Sequence, residues 1–276
     1  MRVGLVQLTV GDDPAQNLPE TLGLVRAAAA GGAGFVLTPE CTNALSSDRD
    51  HQRSVFFMEE RDPTLAALRA EAAALGVWLL IGSLGLLTED ADGRFANRSF
   101  LIAPDGRIAA RYDKIHMFDV SISETEVYRE SSGYRPGERA VLVKTPFASI
   151  GMTVCYDVRF AHLYRTLAQA GAQILTVPAA FNHITGQAHW EVLLRARAIE
   201  TGCFVLAPAQ TGDHPATHGK GRKTHGHSLV IAPWGEVLAD GGTEKGVVFA
   251  DLDLGAVAAA RARVPSLTHD RRFTGP

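Results

Sequence analysis

The chain has 276 residues, 46% of them hydrophobic, enough to bury one large core without a second domain. Its 27 basic and 30 acidic side chains leave a formal charge of -3, which excludes the basic footprint of a nucleic-acid binder and the polybasic patch of a membrane-surface protein. A small molecule is the expected partner. Arg2 to Leu8 lacks the long apolar stretch of a secretory signal, and no run elsewhere approaches a membrane span. Cys41, Cys155 and Cys203 form no C-x-x-C pair, so neither a disulfide framework nor a zinc site is expected, and a reducing cytoplasm fits best.

In chain order, a strand at Val3 to Val10 precedes a helix from about Leu18 to Ala30 that stops at Gly31-Gly32. The strand Gly34 to Thr38 follows. Next comes a helix capped by Asp62, with Pro63 in its first turn and Gly76 at its end. Strands at Val77 to Leu87, Asn97 to Ala103 and Ile108 to Tyr112, joined by turns at Glu89 to Arg94 and Pro104 to Arg107, read as an antiparallel meander. Ile115 to Arg139 reads as one long loop lining a pocket.

Strands at Ala140 to Thr145 and Ser149 to Val154 then lead to a helix at Ala161 to Ala170 and a buried strand at Gln173 to Val177. The helix Gln187 to Thr201 is expected to bury Trp190, Leu193, Leu194 and Ile199 on one face. Strand Cys203 to Ala209, a His/Gly-rich loop, and strands His227 to Ala232 and Val247 to Asp251 complete the core. No repeat or linker divides the chain, so residues 1–276 read as a single domain with a tail from about 265. The expected fold class is α/β, a four-layer αββα sandwich with two mixed sheets.

Three residues with chemistry stand at strand ends. Cys155 closes an apolar run before a helix, where a tight turn exposes its thiol and aims the backbone N–H of Tyr156 at a developing oxyanion. A lone cysteine there is more often core packing. Glu40 follows Pro39 at the end of another strand, and withdrawal from water would raise its pKa toward that of a general base. Lys114 ends a third strand, where an ammonium between two carboxylates would stay charged, and Glu130 in the long loop is a candidate for the second carboxylate.

The ordered strings Thr38-Pro39-Glu40, Tyr112-Asp113-Lys114-Ile115-His116 and Gly151 to Phe160 through Val154-Cys155-Tyr156-Asp157 resemble the nitrilase superfamily of carbon-nitrogen hydrolases. Pro178-Ala179-Ala180-Phe181, Thr185 to Glu191, Arg195 to Glu200 and His225-Gly226-His227-Ser228 extend the resemblance over nearly the whole chain. It implies Glu40 as general base, Lys114 as oxyanion stabiliser, Cys155 as nucleophile and Glu130 as an additional carboxylate that positions the leaving group. It also implies an αββα sandwich and a homodimer or higher homo-oligomer. The segment Ser121 to Val127 departs from the Gly/Pro-rich stretch expected before Glu130.

The string from Ile184 through Glu200 and the Gly-His-Ser-Leu-Val segment up to Trp234 look most like the branch of deaminated-glutathione amidase and ω-amidase, which implies cysteine-dependent hydrolysis of a 2-oxo acid amide without metal or organic cofactor. Phe181 and Asn182 are expected to line the pocket. An anionic substrate would want a cation, for which Arg159, His183, Lys223 and Arg222 are candidates, although Asp157 offers Arg159 a structural ion pair. Nitrile or N-carbamoyl amino acid substrates use similar apparatus, a catalytically silent binding module would keep the same fold, and clustered His214, His218, His225 and His227 raise a metal-site alternative.

Overall fold

The structure, a computed structural model, describes residues 1–124 and 126–275. The first half comprises β1 (Arg2–Gln7), α1 (Pro14–Ala30), β2 (Phe35–Leu37), α2 (Arg49–Val55), α3 (Pro63–Leu75), β3 (Trp78–Leu86), β4 (Ala96–Ile102) and β5 (Ile108–Asp113). A ribbon of β6 (Asp119–Ser121) and β7 (Val127–Arg129) follows. The second half comprises β8 (Val141–Lys144), β9 (Ser149–Met152), α4 (Ala161–Gln169), β10 (Ile174–Thr176), α5 (His183–Thr201) and β11 (Phe204–Ala207). It continues with β12 (Thr211–His214), β13 (Arg222–His225), β14 (Leu229–Ile231), β15 (Val237–Asp240), β16 (Gly246–Asp251) and α6 (Gly255–Arg263).

Two six-stranded sheets form, ordered β16-β1-β2-β3-β4-β5 and β15-β14-β11-β10-β9-β8. Both are mixed: β1, β2 and β3 run parallel, as do β9, β10 and β11, while the flanking strands are antiparallel. Period-two alternation explains the layering. Val3, Leu5, Phe35, Leu37 and Leu80 face the second sheet and share a core with Ile150, Met152, Leu206 and Val230. Val6, Val36, Leu79 and Ile81 point the other way, onto Val25 and Ala28 of α1 and Leu65, Leu68 and Ala72 of α3. With α4 and α5 covering the second sheet, the four layers are helix, sheet, sheet and helix.

Local chemistry sets the element ends. Asp62 caps α3 by accepting from Leu65 N at 2.7 Å, Pro63 occupies the first turn, and Gly76 ends the helix at φ 65°. α1 begins earlier than the apolar pattern indicates, at Pro14, because Asp13 caps it by accepting from Ala15 N. For the same reason α5 begins at His183 rather than Gln187: the Asn182 side chain accepts from Ile184 N and Thr185 N.

Several sequence expectations change. The segment 115–139 is no single loop, since it holds the β6–β7 ribbon and a short 3-10 turn at Glu130–Ser132; Thr125 within it lies outside the described residues. The His/Gly-rich stretch folds as the hairpin β12–β13. Helices α2 and α6 carry too little apolar periodicity to be read from sequence. On α5, Trp190 and Leu194 are buried, but Ile199 is 55% exposed on the outer face. No helix among the described residues is long and apolar enough to cross a membrane.

Candidate active site

Topology brings the chemistry to one edge. β5 returns antiparallel to β4, itself antiparallel to β3, so the carboxyl end of β5 lies beside those of β2 and β3. Glu40 follows β2, Lys114 follows β5, and Asn97 sits at the opening of β4 on that same edge, where its carbonyl accepts from Lys114 N at 3.0 Å. Gly82 on β3 makes room for the turn after β2: a Cβ there would stand 2.2 Å from the Thr38 carbonyl oxygen and 2.4 Å from that of Pro39. Larger side chains at 82 would push the Glu40 turn away.

From the facing sheet, β9 ends at Met152 and Cys155 opens a 3-10 turn over Cys155–Arg159, with α4 starting only at Ala161. Cys155 adopts φ 49°, a left-handed conformation that costs a non-glycine residue on the order of 1 kcal/mol and needs support from its surroundings. Its N–H donates to Pro178 O at 2.9 Å. Asp157 secures the rest of the turn by accepting from Val154 N at 2.8 Å, Tyr112 Oη at 2.7 Å and His116 N at 3.0 Å, with His116 Nδ1 also 2.7 Å away. Asp157 thus ties the cysteine turn to the end of β5. The ion pair expected with Arg159 is not its role.

Lys114 Nζ donates to Glu40 Oε1 at 2.9 Å and to Glu130 Oε1 and Oε2 at 3.0 and 2.8 Å. Asn97 Nδ2 bridges the same two carboxylates at 2.9 and 3.2 Å. Backbone donors complete the set: Glu40 Oε2 accepts from Ala180 N at 2.8 Å, and Glu130 Oε2 accepts a second bond, from Phe118 N at 2.6 Å. Glu40, Lys114 and Cys155 are all buried. The departure of residues 121–127 from the expected composition leaves the placement of Glu130 intact.

The electrostatics reverse one expectation. Burial alone would raise the pKa of Glu40, but the Lys114 ammonium and hydrogen bonding hold it below the ordinary carboxylate range. Burial likewise opposes the Lys114 ammonium, yet Glu130 and Glu40 together hold its pKa well above normal. Burial and the adjacent Glu40 charge push the Cys155 thiol well above its ordinary value, against the pull of Lys114. The resting site therefore pairs a protonated thiol with an ionised glutamate.

A cavity of about 500 Å³ opens over this group, lined by Glu40, Lys114, Glu130 and Cys155 as well as Tyr156, Phe181 and Asn182. Arg159 stands outside its lining, with its guanidinium over the rings of Tyr156 and Phe181 and its Nη2 3.2 Å from His189 Nδ1. His183, Lys223 and Arg222, the other candidate cations, do line it. Asn97 was not singled out by sequence reasoning, because a polar residue at a strand start carries no distinctive signal until the meander places it.

The four clustered histidines divide among three places, with only His225 and His227 staying together. His214 is buried, with Nδ1–H donating to Val10 O and Nε2 accepting from Thr224 Oγ1, both at 2.7 Å. His225 ends β13 while His227, beyond Gly226, takes φ 54°, with the two rings stacked at 4.7 Å. His218 stacks on His51 beside Asp12, whose Oδ2 already accepts from Thr217 and His218. Burial, with nearby Arg222, lowers the His214 pKa from 6.5 to about 4. Its neutral form stabilises the fold above pH 6.5, by on the order of 3 kcal/mol, and this contribution is lost as pH falls through 6.5 toward 4. Thermal melts between pH 7 and 4.5 should show a steeper loss of Tm for the native protein than for His214→Gln.

At the joined edge of the facing mixed sheets, a thiol, an ammonium and two carboxylates come together, the grouping of residues that the sequence resemblance singled out. Residues 2–262 match the family model described as carbon-nitrogen hydrolase, and the chain belongs to that family. It is 38% identical over 275 residues to a deaminated glutathione amidase of Yersinia enterocolitica, covering 98% of this chain and 92% of the relative. It is 35% identical over 274 residues to the omega-amidase NIT2 of Homo sapiens, covering 98% and 95%. The crystal structure of Saccharomyces cerevisiae Nit3, described as a member of branch 10 of the nitrilase superfamily, superposes with a TM-score of 0.86 at 28% identity, covering 99% of this chain and 97% of that one.

Proposed function

We propose that this carbon-nitrogen hydrolase opens the amide of a small 2-oxo acid derivative, such as deaminated glutathione or an ω-amide, through a thioester on Cys155. The observation that carries the reading is the Lys114 ammonium clamped between the Glu40 and Glu130 carboxylates at the wall of the cavity that holds the thiol. The names of the deaminated glutathione and omega-amidase relatives support the substrate class.

In this reading Glu40 takes the thiol proton as sulfur attacks the amide carbon. The low pKa of Glu40 and the high pKa of Cys155 make a resting thiolate unfavourable, so proton transfer accompanies attack rather than preceding it. Lys114 and the Tyr156 N–H then stabilise the oxyanion. Glu40 returns the proton to the departing amine or ammonia, and a water activated by Glu40 opens the thioester. Glu130 keeps Lys114 oriented and positions the leaving group. No metal or organic cofactor is required by these steps.

We further propose that the chain works as one catalytic domain, in the cytoplasm, where its three free cysteines stay reduced. A homodimer is supported by exposed apolar side chains on α5 (Val192 and Ile199), in the neighbouring β14–β15 turn (Trp234) and on β15 (Leu238). Release of amine or ammonia should be measured over 2-oxo acid amides, simple amides, nitriles and N-carbamoyl amino acids. Highest kcat/KM on a 2-oxo acid amide is expected. Preference for a nitrile or carbamoyl substrate would replace the reading, and inactivity across the panel would favour a silent binding module.

A further inference from the structure

Among the described residues, three buried side-chain polar atoms of the cavity lining lack a hydrogen-bond partner: Asn97 Oδ1, His183 Nδ1 and Arg222 Nε. A buried polar atom without a partner is costly, so a residue of the cavity wall that keeps one is a candidate to meet a group that arrives with the ligand. Arg222 stands out because its guanidinium also lacks a direct ion-pair partner among the described residues.

The guanidinium lies over the Tyr128 ring at 5.3 Å, and its Nη2 donates to the Ala180 carbonyl at 2.8 Å. No carboxylate of the described residues forms an ion pair with it, because those nearby are engaged elsewhere. Glu40 and Glu130 serve Lys114, Glu126 Oε2 accepts from Asn182 Nδ2 at 2.7 Å, and Asp213 faces Lys223 at 3.5 Å. The guanidinium thus keeps donors for an anion in a partly desolvated wall. Its planar fork suits a carboxylate.

Ala180 also fixes how far that anion stands from the chemistry. Its N–H donates to Glu40 Oε2, and its carbonyl accepts from Arg222, so a single residue separates the proposed base from the guanidinium. We propose that Arg222 receives a carboxylate of the substrate, held a few bonds from the amide carbon that Cys155 attacks, and so selects anionic amides over neutral ones. This rests on the hydrolytic reading above and adds the residue that confers charge selection.

The test compares 2-oxoglutaramate with its methyl ester, in the native enzyme and in Arg222→Gln and Arg222→Lys, with Tm recorded for each. The native enzyme should prefer the acid by about 10–100-fold in kcat/KM, the range expected for one charge-assisted contact. Arg222→Gln should bring the acid-to-ester ratio near unity, chiefly through KM for the acid, and Arg222→Lys should restore part of it. An unchanged ratio in folded Arg222→Gln would overturn the assignment. Calorimetric binding of 2-oxoglutarate provides an arm independent of turnover. At least 10-fold weaker binding in Arg222→Gln supports the anchor even if no 2-oxo acid amide is hydrolysed, whereas equal binding in both proteins overturns it. Should Arg222→Gln fail to fold, the uncharged Arg222→Met decides by the same two readouts: a collapsed acid-to-ester ratio and weaker 2-oxoglutarate binding support the anchor, and native values of both overturn it.

Discussion

Cys155→Ala should lower kcat/KM by about 10⁴-fold or more while leaving the melting temperature within a few degrees of the native value. The thiol forms the covalent bond in the proposed path, and neither Lys114 nor Glu40 can replace it as a nucleophile. Alanine fits because the backbone contacts that hold the turn, Cys155 N to Pro178 O and Val154 N to Asp157, do not use the sulfur. Alanine removes the thiol's hydrogen bond to Glu40, but Lys114, Asn97 and the Ala180 N–H still hold that carboxylate. Steady-state kinetics paired with thermal melts check both halves. A folded variant that retains near-native turnover would refute Cys155 as nucleophile, and a variant that fails to fold would show the sulfur to be structural.

Lys114→Met should damage stability and activity together. The native ammonium is 2% exposed and neutralises two carboxylates, so its removal leaves Glu40 and Glu130 facing each other across Asn97 without a cation. Breaking a buried ion pair from one side costs roughly 3–5 kcal/mol. Protonating one carboxylate relieves the repulsion, so the stability deficit relative to the native protein should shrink as pH falls. That sign follows from the lowered pKa of native Glu40, which rises once its first counter-charge is gone. Urea unfolding at pH 7.5 and pH 5.5 reads the deficit, and an equal loss at both would show that the carboxylates are not coupled through Lys114. Turnover should fall by at least about 10³-fold through loss of oxyanion stabilisation.

Much of the fold was legible because its signals are local. Asp62, Pro63 and Gly76 mark both ends of α3, and Pro104 to Arg107 marks the hairpin between β4 and β5. The alternation of Val3 to Val6 and Phe35 to Leu37 already specified two buried faces and hence layers on both sides of a sheet. Cys155, Glu40 and Lys114 were legible as strand-end residues, and Glu130 only as a candidate second carboxylate in the long loop, given its role by the family resemblance.

What escaped the sequence depends on distant partners. The pKa of Glu40 falls rather than rises because Lys114, 74 positions later, lies 2.9 Å away, and no local pattern encodes that balance. Asp157 looked like a partner for Arg159, two residues on, yet the fold spends its carboxylate on Tyr112 and His116. Ile199 follows the apolar period of α5 but turns outward, since the helix buries Trp190, Leu194 and Ala198 instead. Arg222 was one of four interchangeable cations until its unpartnered Nε distinguished it.

Rapid acid quenching of the enzyme with a 2-oxo acid amide, followed by intact-protein and peptide mass spectrometry, interrogates the chemistry most directly. The expected result is a mass increase equal to the acyl group, located on the peptide containing Cys155, discharged by hydroxylamine and missing from Cys155→Ala. Turnover with no such adduct under conditions where deacylation is slowed, or an adduct on Cys41 instead, would contradict a thioester path through Cys155.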